Sequence, residues 1–117
     1  MRNILTVLML LAFTITYAQE VKPKFEKNGD QTEATFYHDN GEVAQKGLFN
    51  KNNKLQGVWT SFDAQGNKVA SGTYNNGVKV GKWFFWNNET LKEVDYINNA
   101  IANVSEWQTK DRVADNN

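Results

Sequence analysis

Residues 57–81 read GVWTSFDAQGNKVASGTYNNGVKVG, in which short apolar segments are separated by the turn residues Gln65-Gly66 and Asn75-Asn76-Gly77. Turn signals of this kind recur roughly every dozen residues. The others are Asn28-Gly29, Asp39-Asn40-Gly41, Asn52-Asn53, Asn87-Asn88 and Asn98-Asn99. Asn and Gly tolerate the positive φ values of tight hairpin turns. The intervening segments are too short for helices and rich in Thr, Val and aromatic residues, which predicts consecutive antiparallel strands.

The same stretch contains the middle copy of a sequence repeat, with copies at about residues 34–57, 58–81 and 82–100. Gly47 recurs as Gly72, and Trp59 recurs as Trp83. The third copy departs from the pattern, as a terminal copy often does. One hairpin cannot bury its own apolar face. We therefore expect an all-β protein, a single twisted antiparallel meander sheet of seven or eight strands.

The repeat is carried by Gly57-Val58-Trp59-Thr60-Ser61-Phe62, the turn glycine Gly66, Gly72-Thr73-Tyr74-Asn75-Asn76-Gly77, and Gly81. This pattern resembles the MORN-variant repeat, a short β-hairpin repeat, over about residues 34–100. The resemblance implies a sheet of stacked hairpins and a function in binding more than in catalysis. Proteins with this repeat include a bacterial family labelled as antitoxins. The resemblance therefore also implies an alternative, an antitoxin-like or immunity-like protein that neutralises a partner.

The N-terminal residues predict a targeting signal. Arg2 precedes the apolar run ILTVLMLLAFTI at residues 4–15, and Thr16-Tyr17-Ala18 fits a cleavage site. The run is short for a spanning helix, which needs ~20 apolar residues. We expect a signal helix and cleaved signal peptide at 1–18, a repeat domain at 19–108 and a polar tail at 109–117. The mature chain would be exported to the periplasm or outside the cell, without a stable membrane anchor.

Composition and motifs give little sign of catalysis. The chain has 13 Lys and Arg against 13 Asp and Glu, so we expect no nucleic acid partner bound through phosphate neutralisation. It has no cysteine and one histidine, His38, beside a turn, so no His/Cys cluster supplies metal ligands. Neither a nucleophile elbow nor a phosphate-binding loop is present. We expect a protein that is not an enzyme and has no catalytic residues, metal or cofactor.

Exported chains similar to this one are also labelled nicotinic acid mononucleotide adenylyltransferase, which gives a further alternative. Enzymes of that class need a parallel α/β sheet and an HxGH motif whose two histidines stabilise the leaving phosphates. Here Asp39-Asn40 follows the single histidine, and strands do not alternate with helices. The residues therefore do not favour this activity.

Five aromatic residues form the candidate binding face: Trp59, Trp83, Phe84, Phe85 and Trp86. The tryptophans recur in the repeat, which is typical of core residues, whereas the preceding copy has Thr60 and Ser61 at the places of Phe84 and Phe85. Because strand side chains alternate, Trp83 and Phe85 should point to one face, and Phe84 and Trp86 to the other. Such a strand is either covered on both faces or presents an apolar patch to a partner.

The segment Ile101–Trp107 is the candidate cover for the second face. We expect it to be the last strand, although Ile101, Val104 and Trp107 also fit a helical turn. The favoured function is an exported, non-enzymatic repeat module that binds an unknown protein partner or a surface through its aromatic face or an open edge. Carbohydrate binding through Trp83 and Trp86 is another alternative.

Overall fold

The computed structural model describes residues 21–108, which form one eight-stranded sheet. The strands are β1 (Lys24–Asn28), β2 (Gln31–Tyr37), β3 (Val43–Phe49), β4 (Leu55–Phe62), β5 (Lys68–Asn75), β6 (Val78–Trp86), β7 (Thr90–Ile97) and β8 (Ala100–Gln108). Each strand pairs antiparallel with its neighbours in sequence, which confirms the predicted meander. Nothing in this range is a helix long and apolar enough to cross a membrane. The predicted signal peptide, 1–18, and polar tail, 109–117, lie outside the described residues.

The turn between β4 and β5 shows why the chain reverses where its sequence predicts. Asp63 Oδ1 accepts hydrogen bonds from the backbone N–H groups of Gln65 (3.0 Å) and Asn67 (2.8 Å). Gly66 takes a φ of +89°, which favours glycine. The hydrogen bond from the backbone of Asn67 holds the pKa of the Asp63 carboxyl below its ordinary value. Local side-chain acceptors and a left-handed glycine thus favour this turn.

Two of the repeated glycines have positive φ values although they lie inside strands instead of at turns. Gly57 in β4 and Gly81 in β6 have φ values of +73° and +69°. Each begins a bulge in which three residues face one residue of the preceding strand: residues 57–59 opposite Gly47, and residues 81–83 opposite Gly72. Bulges of this kind bend a strand and increase its twist. The G-x-W motif of the repeat is therefore a bulge that ends in a tryptophan.

Each bulge turns its tryptophan over the glycine that it faces. A Cβ atom added to Gly47 would overlap the ring of Trp59, and one added to Gly72 would overlap the ring of Trp83. The indole N–H of Trp59 donates to the carbonyl oxygen of Leu48 (2.9 Å), the residue that follows Gly47. The indole N–H of Trp83 makes the equivalent bond to Thr73 (3.1 Å). The repeat therefore builds the same indole-on-glycine contact twice.

The face that carries these indoles, which we call the front face, contains most of the core. Its buried residues are Ala34, Trp59, Trp83 and Val94. Other rings surround the two indoles, namely Phe36, Phe49, Tyr74, Phe85 and Tyr96. Within residues 21–108 no second layer packs on this face. The rings instead bury one another sideways along the twisted sheet.

Gly72→Ala tests the contact between ring and backbone. The φ of Gly72 lies outside the left-handed region, so the added methyl acts by overlap with the Trp83 ring. We expect the free energy of unfolding to fall by about 1–3 kcal/mol, the usual range for overpacking. Urea denaturation followed by tryptophan fluorescence measures it, with Ser71→Ala, on the other face of the same strand, as the control.

The same substitution in a Trp83→Leu background separates the ring from other causes. Without the indole, Gly72→Ala should lower the free energy of unfolding by less. The difference between its effects in the two backgrounds is the coupling energy between the two sites. An equal loss in both backgrounds would show that the ring does not set the need for glycine.

Candidate functional site

The five candidate aromatic residues lie on two different faces of the sheet. Trp83 and Phe85 stack on the front face, with ring centroids 6.2 Å apart and planes inclined at 22°. Phe84 and Trp86 stack on the opposite face, which we call the back face, at 6.0 Å and 25°. The predicted alternation along β6 is confirmed, because its ladder with β7 runs without a bulge. The five residues therefore do not make one surface.

Trp59 and Trp83 belong to the packed core of the front face. Their side chains are only 3% and 5% exposed. One side of the Trp83 ring lies on Gly72, and Tyr74 packs against it edge-on at 4.9 Å between centroids. The ammonium group of Lys79 lies 5.2 Å from the same centroid. These two tryptophans hold neighbouring strands together and offer little ring surface to a ligand.

The back face carries an apolar cluster on its last three strands. This back-face cluster consists of Phe84, Trp86, Leu91 and Trp107. Leu91 lies directly opposite Trp86 on one side and Trp107 on the other, so the three side chains are close neighbours. Leu91 is 7% exposed and Trp107 is 41% exposed, while Phe84 and Trp86 are half-buried. A buried leucine is thus flanked by rings that remain accessible to solvent.

Charged side chains border the back-face cluster without covering it. The ammonium group of Lys68 lies 5.7 Å from the centroid of the Trp86 ring. On the other side Lys82 Nζ lies 3.3 Å from Glu93 Oε1 and 3.5 Å from Asp95 Oδ1. The hydrogen bond with Glu93 is the main cause that raises the pKa of Lys82 above its ordinary value. A charged rim around an apolar centre is the arrangement found in protein interfaces.

Phe84 continues a row of the back face that is polar in the preceding strands. Thr60 lies opposite Ser71, and Ser71 lies opposite Phe84. The two hydroxyl oxygens of Thr60 and Ser71 are 3.4 Å apart. Because the sheet accepts Thr and Ser along this row, the repeat itself does not require a phenyl ring there. The repeat pattern therefore does not explain the phenyl ring at Phe84.

The segment Ile101–Trp107 is part of strand β8, so the prediction of a last strand is confirmed and the helical turn is wrong. The prediction that this segment covers the second face is also wrong. It pairs with β7 along the whole strand and extends the sheet in its own plane. A strand that pairs at the edge cannot also lie over the face. Within residues 21–108 the back-face cluster therefore has no layer above it.

His38, the only histidine, ties two successive hairpins together. Its Nε2 lies 2.8 Å from the carbonyl oxygen of Phe62, and because a carbonyl only accepts, this nitrogen carries the proton and donates it. Asn40 Nδ2 donates in the same way to the carbonyl oxygen of Ala64 (2.8 Å). Across residues 21–108 no group of three or more His, Cys, Asp or Glu could hold a metal ion. The position of His38 beside a turn was predictable, but its bond to the next hairpin was not.

Comparison with known proteins identifies no relative. No protein-family model, no curated protein and no solved structure matches the chain. The similarity to the MORN-variant repeat therefore stays a prediction that rests on the motif residues.

The preceding copy supplies matched replacements for the two unusual phenylalanines, Thr60 for Phe84 and Ser61 for Phe85. Phe85→Ser removes the ring stacked on Trp83 and should lower the free energy of unfolding by about 2 kcal/mol. Phe84→Thr should lower it by less than about 1 kcal/mol, because Thr suits a strand and the ring lies outside the front-face core. Urea denaturation of both variants checks the order. A larger loss for Phe84→Thr would mean that Phe84 is a core residue.

Proposed function

We propose that this chain is an exported, non-enzymatic binding module of MORN-like hairpin repeats, and that its back-face cluster binds a partner protein. The observation that carries the proposal is the cluster itself. Leu91 is buried between Trp86 and Trp107 on a sheet face that no other element covers within residues 21–108. Aromatic side chains with an apolar centre and a charged rim are enriched in protein interfaces.

The shape of the cluster favours a protein over a small ligand. Three adjacent strands carry it, and strands lie ~4.8 Å apart, so its apolar centre is broad and flat instead of enclosed. Small-molecule sites are concave and bury most of their ligand. A protein surface can cover Phe84, Trp86 and Trp107 together. A protein that the chain neutralises, as in the immunity-like alternative, would be one kind of partner for this surface.

The repeat assignment is supported by the recurrence of one structural unit. In both β4 and β6 a glycine with positive φ begins a bulge, and the tryptophan two residues later lies on a glycine of the preceding strand. The export part of the proposal is supported by the leader-like residues 1–18.

Capture of partners by the full chain in its native envelope tests the binding function. Tagged wild type, Phe84→Thr and Thr60→Ala are compared, and captured proteins are identified by mass. Thr60 lies in the same row as Phe84 but outside the cluster, so Thr60→Ala serves as the matched control. We expect Phe84→Thr to raise the dissociation constant of the captured protein about tenfold or more, as loss of an interface anchor does. Equal capture by all three proteins, or capture of nothing, would contradict the proposal.

A carbohydrate is a second candidate ligand, favoured by a cleft beside the Trp86 ring. The cleft has a volume of about 290 Å³, and its lining is Asp63, Asn67, Lys68, Val69, Trp86, Asn87 and Asn88. An indole thus lies beside amide and carboxylate groups, although Asp63 and Asn67 also hydrogen-bond to each other (3.3 Å). Trp83 cannot join this site, because it is buried on the front face.

A glycan array tests the carbohydrate candidate directly. If a glycan is the ligand, wild type binds at least one array member and Trp86→Ala loses that binding, because the ring that forms the cleft wall is gone. Val58→Ala, an exposed position away from the cleft, should bind as wild type does. Binding that survives Trp86→Ala would exclude this cleft as the site.

A further inference from the structure

The two edges of the sheet are chemically different. The β1 edge is five residues long, follows Pro23, and carries Lys24, Glu26 and Lys27. Lys24 Nζ and Glu26 Oε1 form an exposed ion pair at 2.9 Å. Short edge strands with charged residues and nearby proline resist pairing with another chain. The β1 edge is therefore protected against strand addition.

The β8 edge has fewer of these protective features. Its nine residues, AIANVSEWQ, include no proline and no lysine, and Glu106 is the only charged residue. Four of the seven exposed large apolar side chains in residues 21–108 lie at this end of the sheet: Ile97, Ile101, Val104 and Trp107. A terminal antiparallel strand directs about half of its backbone N–H and C=O groups outward. A long, mostly apolar edge with a single charged residue is a template for another strand.

We propose that β8 pairs antiparallel with β8 of a second copy of this chain, so that two eight-stranded sheets become one. The register centred on Val104 makes this strand complementary to itself. It sets Val104 against the partner's Val104, Asn103 against the partner's Ser105, and Ala102 against the partner's Glu106. No charge then faces a charge, and the apolar residue lies at the centre. Like charges directly opposite each other would destabilise the ladder, and this register avoids them.

A second copy fits this edge better than a head-to-tail chain of copies. Pairing of β8 with β1 would set a nine-residue strand with one charged residue against a five-residue strand with three. Pairing of β8 with β8 uses the same surface on both copies and closes as a dimer. On the front face the apolar row Trp83, Val94 and Val104 continues through the axis into the partner. The dimer therefore extends the core as well as the ladder.

The proposed dimer goes beyond the binding function, because it does not involve the back-face cluster as a ligand site. The two-fold axis stands perpendicular to the sheet, so the back faces of the two copies point in the same direction. Trp107 is the cluster residue on β8, and its counterpart in the partner would lie on the same side of the joined sheet. The dimer would thus present two back-face clusters on one continuous surface.

A pair of opposite charges tests the pairing. Val104 is 49% exposed, so Val104→Lys and Val104→Glu are compatible with the folded strand. In each variant the proposed register sets like charges against each other, and in an equal mixture it sets Lys against Glu. Sedimentation velocity should show wild type as a dimer and each variant alone as a monomer, with a dissociation constant raised at least about tenfold. The mixture should recover the dimer.

Val58→Lys is the matched control, because Val58 is similarly exposed but lies in the interior strand β4. It should sediment as wild type. A monomeric wild type, or a mixture of the two Val104 variants that stays monomeric while wild type dimerises, would overturn the β8 pairing. A monomeric wild type whose partner capture still depends on Phe84 would overturn only the dimer. A dimer that captures equally with and without Phe84 would overturn only the binding function.

Discussion

The sheet depends on one contact, an indole ring that lies flat on the backbone of a glycine in the preceding strand. Trp59 on Gly47 and Trp83 on Gly72 repeat it, and in each case the indole N–H bonds to the next carbonyl oxygen and fixes the ring. Burial of an aromatic side chain removes about 150–250 Å² of surface from water, and each Å² of buried apolar surface stabilises the fold by about 25 cal/mol. Most sheets bury a face against a second layer. Within residues 21–108 there is no second layer, and the aromatic rings bury one another on the front face instead.

The bulge in one strand and the glycine that faces it in the preceding strand together place the tryptophan ring. The positive φ of Gly57 and Gly81 lets three residues fit opposite one, and this extra length brings the tryptophan over the strand instead of beside it. The missing Cβ of the facing glycine then gives the ring room to descend onto the backbone. Bonds between successive turns, such as His38 to Phe62, tie the ends of the same hairpins. The β2–β3 and β4–β5 hairpins are therefore held to each other at the middle, by Trp59 on Gly47, and at the end, by His38.

Both proposed interaction surfaces include residues at which the chain departs from its repeat. The two indoles of the front face, Trp59 and Trp83, follow the repeat. On the back face, the row through Thr60 and Ser71 is polar and becomes aromatic at Phe84, next to Trp86 and Leu91. Beyond it, β8 ends the sheet with a strand that has one charged residue in nine, whereas β1 has three in five. The residues on which both proposals rest thus lie in the last three strands.

The meander and the alternating faces of residues 83–86 were predictable from the sequence, because turn preferences and side-chain alternation are local properties of the chain. The sequence could not tell that Gly57 and Gly81 form bulges, since a positive φ serves a turn and a bulge equally. Recurrence in the repeat favoured a core position for Trp83, but its contact with Gly72 in the preceding strand is a property of the tertiary structure. The tertiary structure also decided that Ile101–Trp107 extends the sheet instead of covering it. The same apolar residues suit either place, and only the pairing with β7 distinguishes them.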